Sequence, residues 1–528
     1  MNVMYFSYQP YFLHFAEVMA KKDWVPVYWS VVPNVEGEIK AKYPHAICHN
    51  HFDAIKGIPP KEYQGKDLNP LCPSVLSRLA NHERIVLGMF ERNDSHTSSF
   101  SYRERVSLYQ YLVQYWLTVL EDLSPQYVVF EEEPHQANDY VLYAVCQLLD
   151  INTIMFIQTR IDKLLYPINK FEEGSKAIYS SYRDQLASGG ADKVILSERM
   201  EKYFSDLQGS FDQAVFLHLY DQVDEVIDLM SNRSMMFVAM KKTARFIIKK
   251  LNIKELRHHW RLLVSKPGTF FYSDQKQRNK TFKASRLTYV EHLYYKSKTL
   301  LKKNLLKRYY KAIAQKSYEL NRPYVFCPLH YQPEKTTCPL GGIFDDQLYM
   351  ISLLSQALPE GWLLYVKDHP SQFVSSYTRY GEHYRSKEYY NEIVKMPKVR
   401  LMPLSTNTYE LIDNSKAVVS VTSTSGWEAV IRGVPAIMFG HCWFRFCKGV
   451  FYASTLEDIK KVFGEILNGY QINENETRLF LKVMEENTFE GVVGGPGVQK
   501  FFDISDEENG LVHAQAVKSL LKSHRTTN

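Results

Sequence analysis

Several polar segments of this sequence directly follow short apolar runs, and their residue types suit the handling of a phosphate and a proton. Val421 leads into Thr422-Ser423-Thr424-Ser425-Gly426-Trp427-Glu428. A hydroxyl-rich turn with a glycine, opening a helix, turns free N–H donors and the positive end of the helix dipole toward an anion. A phosphate is the natural guest, and Glu428 in the first turn can bind ribose or sugar hydroxyls. The alternative is a plain N-cap in which Ser425 satisfies its own helix. Lys367-Asp368-His369-Pro370 ends another apolar run. Alternation along a strand places Lys367 and His369 on one side, open to a cleft, and Asp368 on the other. Lysine offers a point charge for phosphate, while histidine donates to phosphate or shuttles a proton. Pro370 stops the strand. The alternative is a solvated surface turn. His330 and Gln332 follow a third run with the same alternation, and the alternative there is a loop that merely turns at Gly341-Gly342.

The N-terminal half supplies carboxylates. Tyr127 to Phe130 ends in Glu131-Glu132-Glu133-Pro134-His135. Three consecutive carboxylates at the mouth of a parallel sheet repel one another and rise in pKa, which suits general acid/base work. Side-chain alternation lets one or two of them face a cleft, and a solvated acidic turn is the alternative. Glu132 is the first choice, with Glu131 and Glu133 beside it. After the next strand, Arg160 offers a guanidinium to an acidic ligand and Asp162 a further carboxylate, so both are expected to bind the acceptor. Asp345-Asp346 is not a D-x-D pair, and no His or Cys spacing fits a metal. Neither a metal nor a cofactor is expected.

The elements that must position these residues alternate. Asn2 to Ser7 and Trp24 to Val32 read as strands, as do Tyr127 to Phe130 and Thr153 to Ile157. Between them lie helices at Tyr11 to Lys22, Arg103 to Leu123 and Asn138 to Leu149. From Pro323 the alternation restarts. Strands are expected at Tyr324 to Leu329, Trp362 to Val366, Val399 to Met402, Ala417 to Val421 and Ala436 to Phe439. Helices are expected at Asp345 to Ala357, Thr408 to Asn414, Gly426 to Arg432 and Leu456 to Leu467. Short apolar strands separated by helices imply parallel sheets covered on both faces, with ligands beyond the carboxyl ends of the strands. Gly174 to Leu320 is mostly helical and polar.

Composition narrows the class. With 528 residues, 45% apolar and 23% charged, the chain is long enough for several globular domains and is neither disordered nor fibrous. Seven scattered cysteines without a C-x-x-C pair point to a reducing compartment. No signal peptide or spanning helix is read, so a cytoplasmic location is expected. The net charge is +6, yet Lys241 to Tyr310 holds 20 Lys/Arg against Glu255, Asp274 and Glu291. That asymmetry reads as a solvated face, as a patch for anionic phospholipid interleaved with Trp260, Phe270 and Phe271, or as a nucleic-acid surface. No RNA-recognition signature accompanies it, so nucleic acid is disfavoured.

Phe326-Cys327-Pro328-Leu329-His330-Tyr331-Gln332-Pro333-Glu334, then Lys367-Asp368-His369-Pro370, then Val421 to Ala429 with Gly433-Val434-Pro435, resembles the bacterial capsule polysaccharide biosynthesis family. That family is similar to retaining Kdo transferases of the GT-B fold, which use a CMP-activated sugar. The resemblance covers Tyr324 to Phe444. A K-x-H-P element recurs in polysialyltransferases and in CDP-glycerol glycerophosphotransferases, so the shared content is nucleotide-phosphate binding rather than one sugar. Lys335-Thr336-Thr337-Cys338 departs from the more apolar continuation usual in the family.

The resemblance implies an α/β chain of GT-B type, two Rossmann-type domains facing a cleft with a basic helical insertion between them. Residues 1–173 would form an acceptor domain, 174–320 the connecting region, and 321–472 a nucleotide-sugar donor domain. Residues 473–528 would pack back on the first. Donor binding would fall to His330, Gln332, Lys367, His369, Thr422, Ser423, Thr424, Ser425, Gly426 and Glu428. Catalysis would fall to His369 and a carboxylate among Glu131, Glu132 and Glu133, placed by topology. The expected activity is metal-independent glycosyl transfer to a glycan or lipid-linked acceptor in surface polysaccharide synthesis, at the inner face of the cell membrane. A CDP-glycerol glycerophosphotransferase and a non-catalytic anion-binding scaffold are the alternatives.

Overall fold

A computed structural model describes residues 1–93, 100–209, 289–373 and 384–526. The chain divides into two compact units. The first comprises Met1–Phe90, Ser101–Met200 and Arg478–Asn528, and the second Glu91–Phe100 and Glu201–Thr477.

The first unit is built on a seven-stranded sheet of order β13-β6-β5-β4-β1-β2-β3. Its strands are β1 (Asn2–Phe6), β2 (Val25–Val31), β3 (Ile47–Asn50), β4 (Tyr127–Phe130), β5 (Asn152–Gln158), β6 (Leu164–Ile168) and β13 (Phe489–Glu490). The five from β3 to β5 run parallel, and β6 and β13 close the edge antiparallel. From β1 the chain winds outward to β2 and β3, then returns to lay β4 on the other flank of β1. The gap between the ends of β1 and β4 is therefore a topological switch point, where helices on opposite faces leave a crevice. Local sequence supports the flanking helices. The helix Tyr102–Leu123 opens with a capping box, Ser101 with Glu104, and closes on Ser124 at φ 42°. Its buried face, including Leu108, Leu112, Trp116 and Val119, recurs at helical spacing.

The second unit repeats the plan. Its strands are β7 (Tyr324–Pro328), β8 (Leu363–Lys367), β9 (Val399–Leu401), β10 (Ala417–Ser420), β11 (Ala436–Met438) and β12 (Val450–Tyr452). All are parallel, in the order β12-β11-β10-β7-β8-β9, that of a dinucleotide-binding sheet. Alternation divides the side chains between two cores. Val325, Cys327, Leu364, Val366 and Val419 lie in one, and Tyr324, Phe326, Leu363, Tyr365 and Val418 in the other. The switch point here lies between the ends of β7 and β10.

The expected class, α/β with parallel sheets in both halves, is what the structure shows. Four strands were not anticipated: β3, β6, β12 and β13. β3, β12 and β13 are two to four residues long and lie at sheet edges, where alternation has little length to express itself. β6 is an unbroken buried run that contains Pro167 and shows no alternation. The helix expected from Gly426 begins at Thr424. Between 174 and 320 the described helices are Lys176–Ala187, Glu198–Gln208 and Tyr289–Ile313. Residues 210–288, which hold most of the basic segment, lie outside the described residues. Among the described residues no helix is long and apolar enough to cross a membrane.

Candidate functional site

At the β7/β10 switch point the residues beyond the strands are bonded to one another. The backbone N–H of Thr422 donates to Nε2 of His330 at 3.1 Å, and the Ser420 hydroxyl lies 3.2 Å from the same nitrogen. An N–H donor requires a lone pair on Nε2, so the ring proton of neutral His330 is on Nδ1. Burial, together with the nearby His369 and Arg385, pushes this imidazole down to about 3. Thr422 Oγ1 donates to the carbonyl of Thr336 at 2.6 Å, which draws the 330–342 loop onto the end of β10. The approach is close at Gly341, where a Cβ would meet the Thr337 carbonyl and a Val421 methyl, both at 2.6 Å.

Two residues expected at the mouth of the cleft are committed elsewhere. Lys367 is buried, and its ammonium donates to the Thr406 carbonyl at 2.7 Å and to Thr408 Oγ1 at 2.9 Å. It ties β8 to the start of the helix Thr408–Asp413, and desolvation lowers it to about 8. The expectation that it presents an open charge is corrected: its stem runs into a pocket that satisfies it. Gln332 is also buried, accepting from Gln347 and Arg385 at 2.8 Å and donating to the Asp345 carbonyl at 2.5 Å.

Asp368 is fully buried and is the hub of a hydrogen-bond network. Arg385 Nε donates to its Oδ2 at 2.8 Å, Tyr390 donates to the same oxygen at 2.5 Å, and the His369 N–H donates to Oδ1 at 2.7 Å. Arg385 also donates to the His330 carbonyl at 2.9 Å and covers the Tyr389 ring at 4.5 Å. One guanidinium thus joins the loops after β7 and β8. Sequence reasoning missed Arg385, which follows no strand and belongs to no motif.

His369 is half-buried. Its Nδ1 accepts the Ser371 N–H at 3.2 Å, which leaves Nε2 as the donor of the neutral ring. Burial holds it down to about 4. It is therefore a neutral hydrogen-bond donor near neutral pH. Ser423, not Ser425, caps the helix Thr424–Ile431, its hydroxyl accepting the Ser425 N–H at 3.2 Å. Glu428 is buried one turn inside that helix, and desolvation raises it to about 7 against the opposing Thr424 hydroxyl and Arg432.

In the first unit the β1/β4 switch point holds Glu131. Its Oε2 accepts from the Ser7 hydroxyl at 2.9 Å, and its Oε1 accepts from Tyr11 at 2.9 Å and from the Gly494 N–H at 3.2 Å. Burial and the neighbouring Glu132 push it up to about 7, although all three donors favour the anion. Glu132, the expected first choice, is one-third exposed and 3.6 Å from His135 Nδ1. Glu133 is buried, with its carbonyl 3.1 Å from the same nitrogen. Arg160 is exposed on the turn joining β5 and β6, and Asp162, with φ 46°, lies 3.6 Å from Arg199. Sequence reasoning missed Ser7, Tyr11 and Gly494. Gly494-Gly495-Pro496-Gly497 signals a close backbone turn, but nothing in it names a partner. Among the described residues no cluster of His, Cys, Asp or Glu is placed to hold a metal ion.

Residues 274–465 match the sequence profile of the capsule polysaccharide biosynthesis proteins. The resemblance carried by the motifs holds over this stretch. It spans about a third of the chain and includes every residue of the β7/β10 site. No curated protein matches the sequence. Among solved structures, the β-Kdo 2,7 transferase of Thermosulfurimonas dismutans KpsC aligns at 13% identity and TM-score 0.23, over 40% of this chain and 61% of its own. The β-Kdo 2,4 transferase of the same protein aligns at 11% and 0.25, over 70% and 82%. The UDP-GlcNAc 2-epimerase of Methanocaldococcus jannaschii aligns at 10% and 0.23, over 92% and 99%. Similarities of this size leave the functional reading to the profile match and to the residues themselves.

Proposed function

We propose that this chain is a metal-independent glycosyltransferase of capsule or other surface polysaccharide synthesis. The second unit binds a nucleotide-activated sugar at the β7/β10 switch point, and the first contributes Glu131 as the reacting carboxylate. The observation that carries this reading is the coincidence of the capsule-synthesis match with an α/β switch point whose loops are locked together by His330, Thr422 and Arg385. The donor phosphates lie against the amide end of the helix Thr424–Ile431, where the dipole favours negative charge. His369 Nε2 donates to the leaving phosphate, and such a donor matters most where charge develops in the transition state. Glu428 takes donor hydroxyls. Glu131 replaces Glu132 as the carboxylate, because it lies at the switch point with an ionisation range near neutrality. It deprotonates the acceptor hydroxyl in an inverting reaction and serves as nucleophile in a retaining one. Arg160 and Asp162 engage the acceptor.

A cytidine nucleotide is the donor base we favour. The acceptor is a growing glycan or a lipid-linked one, and the enzyme works at an anionic membrane surface through residues 241–310. In support, the described part of that segment, the helix Tyr289–Ile313, exposes Val290, Tyr294, Leu301 and Leu305 amid its lysines. A panel of CMP, CDP, UDP and GDP in a thermal-shift assay tests the donor assignment. Stabilisation by CMP or CDP is expected, a UDP-selective response redirects the donor, and no response to any nucleotide refutes the site.

A further inference from the structure

The three hydrogen bonds on Glu131 come from two stretches of chain far apart in sequence, Ser7 with Tyr11 and the turn at Gly494, and two of the three depend on the C-terminal segment. Gly494, at φ +129°, turns its N–H onto Oε1. The strand-like stretch before it is held by Asn509, which is fully buried. Asn509 Oδ1 accepts the Val492 N–H and its Nδ2 donates to the Val492 carbonyl, both at 2.9 Å. Val493 N–H is taken by Gln158 Oε1 at 2.9 Å. The second donor on Oε1, Tyr11, lies under the helix Asp506–Thr526. A Cβ on Gly510 would meet the Tyr11 carbonyl at 2.5 Å, and the His513 ring sits 4.9 Å from the tyrosine ring.

We propose that the C-terminal segment is a working part of the carboxylate site, in which Asn509, acting through Val492 and Gly494, is a positioning residue that aims a backbone donor at Glu131. This rests on the assignment of Glu131 as the reacting carboxylate. The groups that face Glu131 are Glu132 on its own turn, the hydroxyls of Tyr8 and Tyr11, and, behind Tyr11, the neutral His513. Losing the Gly494 donor removes a hydrogen bond to the anion, so ionisation moves to higher pH.

The experiment compares the full-length wild type with Asn509→Ala, and with Asn509→Leu, an uncharged variant that keeps the side-chain volume without either Val492 bond should the alanine variant fail to fold. The readouts are the pH profile of kcat/KM for sugar transfer, the donor KM, and the Glu131 carboxylate band in infrared difference spectra against Glu131→Gln. Both variants are expected to move the acid limb and the Glu131 titration upward by about one pH unit, with the donor KM unchanged. A rate loss equal at every pH, with the carboxylate band titrating as in wild type, overturns the proposal. A shifted band in a protein that transfers no sugar from any donor leaves the positioning role standing and refutes the glycosyltransferase reading.

Discussion

Glu131 and Glu132 are neighbours in sequence, and the difference between them is geometric. Both follow the same strand, but Glu131 turns inward onto Ser7, Tyr11 and Gly494 while Glu132 remains partly in solvent beside His135. Glu131→Gln should therefore lower kcat roughly 10²–10⁴-fold, and Glu132→Gln should leave it within a few-fold. Steady-state transfer rates measured on the two variants decide between them. Because burial raises Glu131 to about 7, the base form accumulates as pH rises through that value, and activity should rise along the same limb. His369→Ala removes a neutral donor and should reduce kcat/KM by about 3 kcal/mol, on the order of 100-fold, while the melting temperature holds. The carboxylate run was legible in the sequence because it ends an apolar strand. Its inward member was not, since alternation fixes a period and leaves the phase to the first residue beyond the strand.

The loops after β7 and β8 act as one element because Arg385 bonds to both. Breaking a buried ion pair by removing one partner leaves an uncompensated charge and typically costs 3–5 kcal/mol. Arg385→Met should lower the melting temperature and slacken nucleotide binding together. Lysine at the same position should not restore either property, since it cannot fork to Asp368, Gln332 and the His330 carbonyl at once. His330 adds a pH dependence. Its folded value, about 3, lies below the ordinary 6.5, so the unfolded chain binds the proton more readily. That contribution to stability is complete above pH 6.5 and is lost as pH falls toward 3. A calorimetric series over that range should show a shallower acid loss for His330→Gln. His330, His369 and the 422–428 turn could be singled out in the sequence because they follow strands in a recurrent spacing, whereas Asp368 was read only as the residue turned away from them. Arg385 was invisible, because its partners are brought to it only by the fold.

At the scale of the whole chain, two parallel-sheet units were readable from alternation, since strands of five apolar residues between helices admit few other packings. The contribution of residues 489–513 to the first unit's carboxylate site was not, because that contact is made by a backbone amide and a buried asparagine that bear no sequence pattern. The basic segment makes its own prediction. If it docks on an anionic leaflet, co-sedimentation with phosphatidylserine vesicles should exceed that with neutral vesicles and fall with salt. Equal binding to both would mean a merely solvated face. The central claim is that sugar leaves a nucleotide bound at the β7/β10 switch point with help from Glu131. It is tested most directly by product mass and released nucleotide after incubation with a CMP-activated sugar and a polysaccharide acceptor, for the wild type and for Glu131→Gln. The account predicts a sugar-extended product and stoichiometric CMP from the wild type, with both lost in the variant. An unextended acceptor with every nucleotide sugar offered, or equal product from Glu131→Gln, would contradict it.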